Sequence, residues 1–390
     1  MSRVISLAQD LLRIPSVTPD AGVALDYCEN FLSRLGFSCQ RMVRGEVPQQ
    51  IDNLYAVWGN PEQLILFCGH LDVVPTGEGW SHDPFAGDIV DEVLYGRGAV
   101  DMKGSIAAYF AALETAMPDL DPDESGLALL LTGDEEGEAI YGVRAIIPEL
   151  VGMGEHWIGC LTGEPTSQEQ VGDAFKHGRR GSLNGRLEIR GTQGHTGYPA
   201  RADNAAHRII EALSALRGMP LDNGNADFEP SWLAITSVDV GNFASNVIPG
   251  QASAQLNFRF NTEQSSAGLC QKTHDCIAEI VPEAQFNLHW SVPSEPYLSP
   301  KSAFIERLAA AITETTGLTP QSTTVGGTSD SRFIHSYCPV VDFGLCGKGM
   351  HEINESVALA DLHRLEAIYT AFLRNVLTLP LPENSIERKD

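Results

Sequence analysis

The sequence predicts an α/β protein: a mostly parallel, mixed sheet covered by helices, interrupted by an inserted α+β domain. Three observations predict it. Apolar runs of strand length, such as "LILFCGH" and "GLALLLTG", alternate with helical patterns on either side. Between about residues 180 and 290 the pattern changes: in "QASAQLNFRFN", Ala252, Ala254, Leu256, Phe258 and Phe260 alternate strictly with polar residues, the signature of an antiparallel sheet with one solvated face. After about residue 294 the first pattern resumes. The expected boundaries are 1–178 and 294–390 for the α/β domain and 179–293 for the inserted α+β domain.

The elements follow in order. Residues 3–13 carry Val4, Leu7, Ala8, Leu11 and Leu12 at helical spacing, and Pro15 stops them. A second helix places Ala24, Tyr27, Cys28, Phe31, Leu32 and Leu35 on one stripe and ends at Gly36. Strands are expected near 37–43, 53–58, 64–69, 126–133 and 156–163, with helices over 105–117 and 141–150. In the insert, strands at 182–191, 232–241 and 251–261 flank a helix near 203–218, and a further helix spans 266–281. A helix over 302–317, a buried strand "PVVDFGLCG" and a closing helix over 359–377 complete the chain, with the tail "PENSIERKD" expected to fray.

Composition narrows the function. The 390 residues carry a formal charge of −25, which repels nucleic acid and anionic membranes. The N-terminal segment is amphipathic rather than a leader core, and no stretch approaches the ~18 apolar residues of a membrane span. The eight cysteines form no CxxC pair and read as buried thiols of a reducing compartment. A cytoplasmic protein acting on a small molecule is the expectation.

The chemistry sits at strand ends. "LILFCGHLD" ends in His70 and Asp72, "LALLLTGDEEGE" in Asp134, Glu135 and Glu136, and "HWIGCLTGE" in Glu164. "GRGAVDMKG" places Asp101 in a glycine loop before a helix, and "CGKGMHEINE" places His351 after the last strand. Each residue alone has an ordinary structural explanation: a hydrogen-bonded histidine, a turn aspartate, a solvated acidic run. "GRGAVD" lacks the third glycine of a dinucleotide loop. Ligands of open α/β sheets bind beyond the carboxyl ends of the strands. Acids and imidazoles converging there would be stranded unless cations sat among them, and mixed imidazole and carboxylate donors suit zinc better than magnesium or calcium.

The motifs "GHLDVVP", "GRGAVDMKG", "TGDEEG", "GEPT" and "MHEINE", in this order, resemble the metallopeptidase and deacylase family with two co-catalytic zinc ions. "RIPSVTPD", "GRRGSLNG", "GTQGHTGYP", "NVIPG" and "GGTSDSRF" narrow the resemblance to the branch that releases succinate from an N-succinyl amino acid. The resemblance implies two Zn2+, replaceable by Co2+ or Mn2+: one on His70 and Glu164, one on Glu136 and His351, with Asp101 bridging. Glu135 would be the base that takes a proton from water and hands it to the leaving amine. Asp72 would hydrogen-bond the His70 ring and fix its tautomer. His195 would donate to the oxyanion, in many relatives from the partner subunit of a homodimer joined through the insert. Arg179, Arg259 and Arg332 would hold substrate carboxylates, with Thr328, Tyr198 and Asn246 as further polar contacts. Sister deacylases such as those acting on acetylornithine, or metallocarboxypeptidases, are the alternatives within the enzyme class. A non-catalytic metal-binding protein on the same scaffold is the alternative outside it, and the intact Glu135 argues against it.

Overall fold

The computed structural model describes residues 2–47 and 49–377; the expected fraying of "PENSIERKD" lies outside them. The chain divides into two compact units: Met1–His177, Ser299–Thr323 and Ser329–Asp390 in one, Gly178–Leu298 with Thr324–Thr328 in the other. Among the described residues no helix is long and apolar enough to cross a membrane.

The first unit is built on an eight-stranded mixed sheet. Its spatial order is Ser38–Arg44, Ile51–Gly59, Gly126–Thr132, Leu64–His70, Gly159–Thr162, Val340–Asp342, Ala174–Lys176 and Gln321–Thr323. The four strands from Gly126–Thr132 to Val340–Asp342 run parallel. The two outermost strands on the N-terminal side are antiparallel to their neighbours.

Every residue of Leu64–His70 and of Gly126–Thr132 is buried, because helices cover both faces. Helix Lys103–Ala116 is buried almost all round, and its alanines at 107, 108, 111 and 112 let neighbouring elements approach closely. Phe110 stacks on Phe31 with ring centroids 4.3 Å apart, and Tyr109 on Phe67 at 3.9 Å. Helix Gly22–Arg34 ends at Gly36, whose φ of +90° suits a residue without Cβ.

The second unit is α+β. Its four-stranded sheet runs Trp232–Asp239, Gln251–Phe260, Gly181–Arg190, Phe286–Trp290, all antiparallel. The apolar faces of Gly181–Arg190 and Gln251–Phe260 join helices Ala205–Gly218 and Ser266–Ala278 in a core that includes Leu187, Ile209, Leu213, Leu256 and Ile277. Asn204 caps the first of these helices by accepting from the N–H groups of Ala206 and His207.

Two expectations change. "PVVDFGLCG" yields only Val340–Asp342 as a strand. Beyond it lies Gly344, where a Cβ would come within 2.6 Å of the carbonyls of Gly163 and Glu164. Ala174–Lys176 and Gln321–Thr323 are strands the sequence pattern does not announce, being too short to show a period.

Candidate metal centre

The parallel ladder sets the site. Cys68 pairs with Thr162 and His70 with Thr132, so the strands finish side by side at one rim. The residues that follow them, Asp134 to Glu136 and Glu164, emerge beside His70. Burying strand-end polar groups is costly unless they are partnered. Here the partners are one another.

One carboxylate faces both imidazoles. Asp101 Oδ1 lies 3.1 Å from His70 Nε2, and Asp101 Oδ2 lies 3.3 Å from His351 Nε2. Glu136 Oε1 is 2.9 Å from His351 Nε2, and Glu164 Oε1 is 3.9 Å from His70 Nε2. Donor atoms of His70, Asp101 and Glu136 lie within 4.8 Å of one another, as do those of His70, Glu135 and Glu164. His70, Asp101 and Glu164 are buried, whereas the His351 side chain is half exposed, with a backbone φ of +63°.

Asp72 meets the His70 ring through its backbone rather than its carboxylate. The His70 ring bonds the Asp72 backbone carbonyl, Nδ1 to O at 2.8 Å, while the nearest carboxylate oxygen is 3.8 Å away. A carbonyl can only accept, so Nδ1 carries a proton, and Nε2 is the nitrogen turned toward Asp101. The carboxylate of Asp72 instead accepts the N–H groups of Glu135 at 3.3 Å and Glu136 at 3.0 Å, fixing the turn that aims both side chains. Asp134 closes that turn from the other side by accepting from the N–H groups of Ile140 and Tyr141.

The charges are strongly perturbed. Burial works against a charged His70, yet the hydrogen bond and charge of Asp101, then Glu135, hold its pKa well above the ordinary value. The hydrogen bonds of Asp101 and Glu136 push His351 up to about 10. Burial, then the charge of Glu164, raises the Glu135 carboxyl well above the usual range. Asp330, buried nearby, is pushed up to about 7 by burial against the pull of Arg332 and His70. Two imidazoles amid this many carboxylates form a donor set of mixed nitrogen and oxygen, concentrated negative charge, and a carboxylate placed to bridge. That chemistry fits a pair of divalent cations.

The remaining candidates divide between the two units. Arg332 belongs to the first unit, its guanidinium 4.6 Å from the ring of Phe333. His195, Tyr198, Asn246, Arg179, Arg259 and Thr328 belong to the second. There His195 pairs with Val247, and its ring centroid is 5.7 Å from that of Tyr198. His195 Nδ1 accepts the Gly197 N–H at 2.9 Å, which leaves Nε2 as a donor on an exposed loop. The Asn246 carbonyl accepts from Thr196 in the same loop pair. Arg179 is buried and donates to the Gly327 carbonyl next to Thr328. Burial and the neighbouring Arg180 make Arg259 a weaker base than usual.

The sequence reading assigned no part to Arg97 or Glu355, which form a buried ion pair at 2.8 Å. Their signal was a charged residue inside each of the motifs "GRGAVD" and "MHEINE".

A family model described as "Peptidase family M20/M25/M40" matches residues 66–375. A succinyl-diaminopimelate desuccinylase of Rhodospirillum centenum is 46% identical over 372 residues, covering 95% of this chain and 96% of that protein. Among solved structures, the M20 family metallo-carboxypeptidase Sso-CP2 from Sulfolobus solfataricus is similar in fold, with a TM-score of 0.79 at 16% identity over 97% of this chain and 100% of that one. The Bacillus subtilis YXEP protein, described as a dinuclear metal binding peptidase from the M20 family, gives a TM-score of 0.69 at 16% identity, covering 96% of this chain and 97% of its own.

Proposed function

The chain belongs to the peptidase family M20/M25/M40, and from that premise we propose that it is a zinc-dependent amidohydrolase converting N-succinyl-LL-2,6-diaminopimelate and water to succinate and LL-2,6-diaminopimelate. The observation that carries the reading is the 46% identity, over 95% of the chain, to a protein bearing that activity's name. The placing of Asp101 between two imidazoles supports two-metal chemistry.

In this reading His70 and Glu164 would hold one zinc ion and Glu136 and His351 the other, with Asp101, which faces both imidazoles, contributing to both; Co2+ or Mn2+ would substitute. When bound, such ions supply Lewis acidity, polarising a carbonyl oxygen and lowering the pKa of water toward about 7. Glu135, aimed by the Asp72 contact to its N–H, accepts the proton as the water oxygen attacks the succinyl amide carbon. It then delivers that proton to the amine nitrogen as the C–N bond breaks. His195 Nε2–H donates to the oxyanion. Arg179, Arg259 and Arg332 hold the substrate carboxylates bidentately, with Thr328, Tyr198 and Asn246 as polar contacts. The inserted unit serves as dimerisation and lid domain of a cytoplasmic homodimer. The product would feed diaminopimelate and lysine synthesis.

The test is an assay of the zinc-reconstituted protein on N-succinyl-LL-2,6-diaminopimelate and N-acetylornithine side by side, before and after chelation. Succinate release that chelation abolishes and zinc restores is expected. Preference for the acetylated substrate would move the assignment to a sister deacylase. Turnover of neither by protein that holds metal would favour a binding role.

A further inference from the structure

His70, Glu136 and Glu164 leave strands held by the sheet ladder, whereas Asp101 and His351 sit on loops. Those two loops start from one short antiparallel pair, in which Tyr95 faces Ser356. Just beyond it, Glu355 reaches into the Asp101 loop. Its Oε1 accepts the N–H groups of Val100 at 2.8 Å and Asp101 at 3.2 Å. Its Oε2 accepts Gly98 N–H at 3.1 Å and Arg97 Nη1 at 2.8 Å. Arg97 carries the connection onward. Nη1 also donates to the Glu352 carbonyl at 3.0 Å, next to His351, and Nη2 to the Thr76 carbonyl at 3.1 Å on the segment leaving Asp72. Both side chains are almost wholly buried, at 2% and 1% exposure.

A buried ion pair is a poor way to gain stability, since apolar residues of the same volume serve as well or better. What this pair does that apolar residues cannot is direct hydrogen bonds at specific backbone groups in three separate loops. We propose that Arg97 and Glu355 are positioning residues that set the spacing between Asp101 and His351, and thereby the affinity for the metal ion these two share with Glu136. This inference rests on the two-metal reading above.

The experiment is calorimetric zinc titration of metal-free protein, with its melting temperature, for the unaltered chain, Glu355→Gln, Arg97→Lys, and the double variant Arg97→Gln/Glu355→Gln. The first variant keeps shape but cannot accept the same set of N–H groups. The double variant leaves no unpaired buried charge, so it carries the test if the single one does not fold. The expected result in Glu355→Gln is the affinity of the site that includes His351 weakened ~10–100-fold, the size seen when partners outside the ligand set are removed, with a smaller loss at the other site because Asp101 serves both. The double variant should stay weak and Arg97→Lys should fall between. At saturating zinc, kcat should recover toward the parent value with KM unmoved. Unchanged affinities would overturn the proposal. So would equal loss at both sites together with a fall in melting temperature, or parent-like affinity in the double variant, since these mark a merely structural pair. Fewer than two ions bound by the unaltered chain would overturn the two-metal reading itself, and this inference with it.

Discussion

Replacing Glu135 by glutamine separates the base from the ligands. The substitution keeps volume and keeps the backbone N–H bonded to Asp72, so the side chain stays aimed at the cluster. What is lost is a proton acceptor. General acid–base catalysis contributes ~10²–10⁴-fold, or about 3–5 kcal/mol of barrier, and no further loss from misplacement is expected because the turn is fixed by Asp72 and Asp134. The five other donors remain. Turnover of succinylated substrate should therefore fall by that factor while elemental analysis still finds two ions per chain. The metal-free protein supplies an independent sign. Burial, then Glu164, holds the Glu135 carboxyl above its unfolded pKa, so its ionised form costs stability at every pH above that unfolded value. Glutamine removes the cost, and the metal-free variant should melt higher than its parent at neutral pH. Loss of an ion with recovery of kcat at high zinc would refute the reasoning, because Glu135 would then be a ligand alongside His70 and Glu164, whose donor atoms lie near its own.

His195→Ala should lower kcat ~10²–10³-fold, the usual cost of an oxyanion donor, with metal content unchanged; parent-like kcat in a stopped assay would remove His195 from the mechanism. Zinc uptake at pH 7 should release a proton from each of the two imidazoles, since both are held protonated by their carboxylate neighbours; calorimetry in buffers of different ionisation enthalpy reads this directly. The same shifts make the metal-free protein lose stability as pH rises from His351's unfolded value near ~6.5 through about 10, because a raised histidine pKa stabilises only while the ring stays charged. Gly104→Ala should destabilise by about 1–3 kcal/mol in urea unfolding and lower zinc affinity, because its Cβ would meet the Ala99 carbonyl at 2.2 Å and Leu345 at 2.8 Å beside the Asp101 loop.

The sheet was readable because a strand buried on both faces has nowhere to place polar side chains except its ends. Leu64–Cys68 and Leu127–Leu131 announce themselves as apolar runs, and His70 and Glu135 stand out against them. The strict alternation of Gln251–Phe260 likewise marked a one-sided sheet. The three-residue strands were silent because pairing alone, without a period, holds them in place. The atom by which Asp72 meets His70 is not legible in the sequence for a different reason. Residues two apart on a strand share a face, which brings Asp72 to His70, but the ring bonds the backbone carbonyl, an acceptor every residue carries and no sequence pattern marks. Arg97 and Glu355 are not legible because a lone charged residue in a loop carries no period that marks it as buried; they are buried and paired across the chain.

The central sheet is assembled out of chain order: Gly159–Thr162 finds its outer neighbour only in Val340–Asp342, made after the whole intervening segment. At typical synthesis rates of ~5–20 residues per second, that delay is on the order of ten to thirty seconds. Throughout it an apolar strand edge on the growing polypeptide has no native partner, and such edges template aggregation. Yield in a cell should therefore depend on ribosome-proximal chaperones far more than the thermal stability of the finished molecule would suggest.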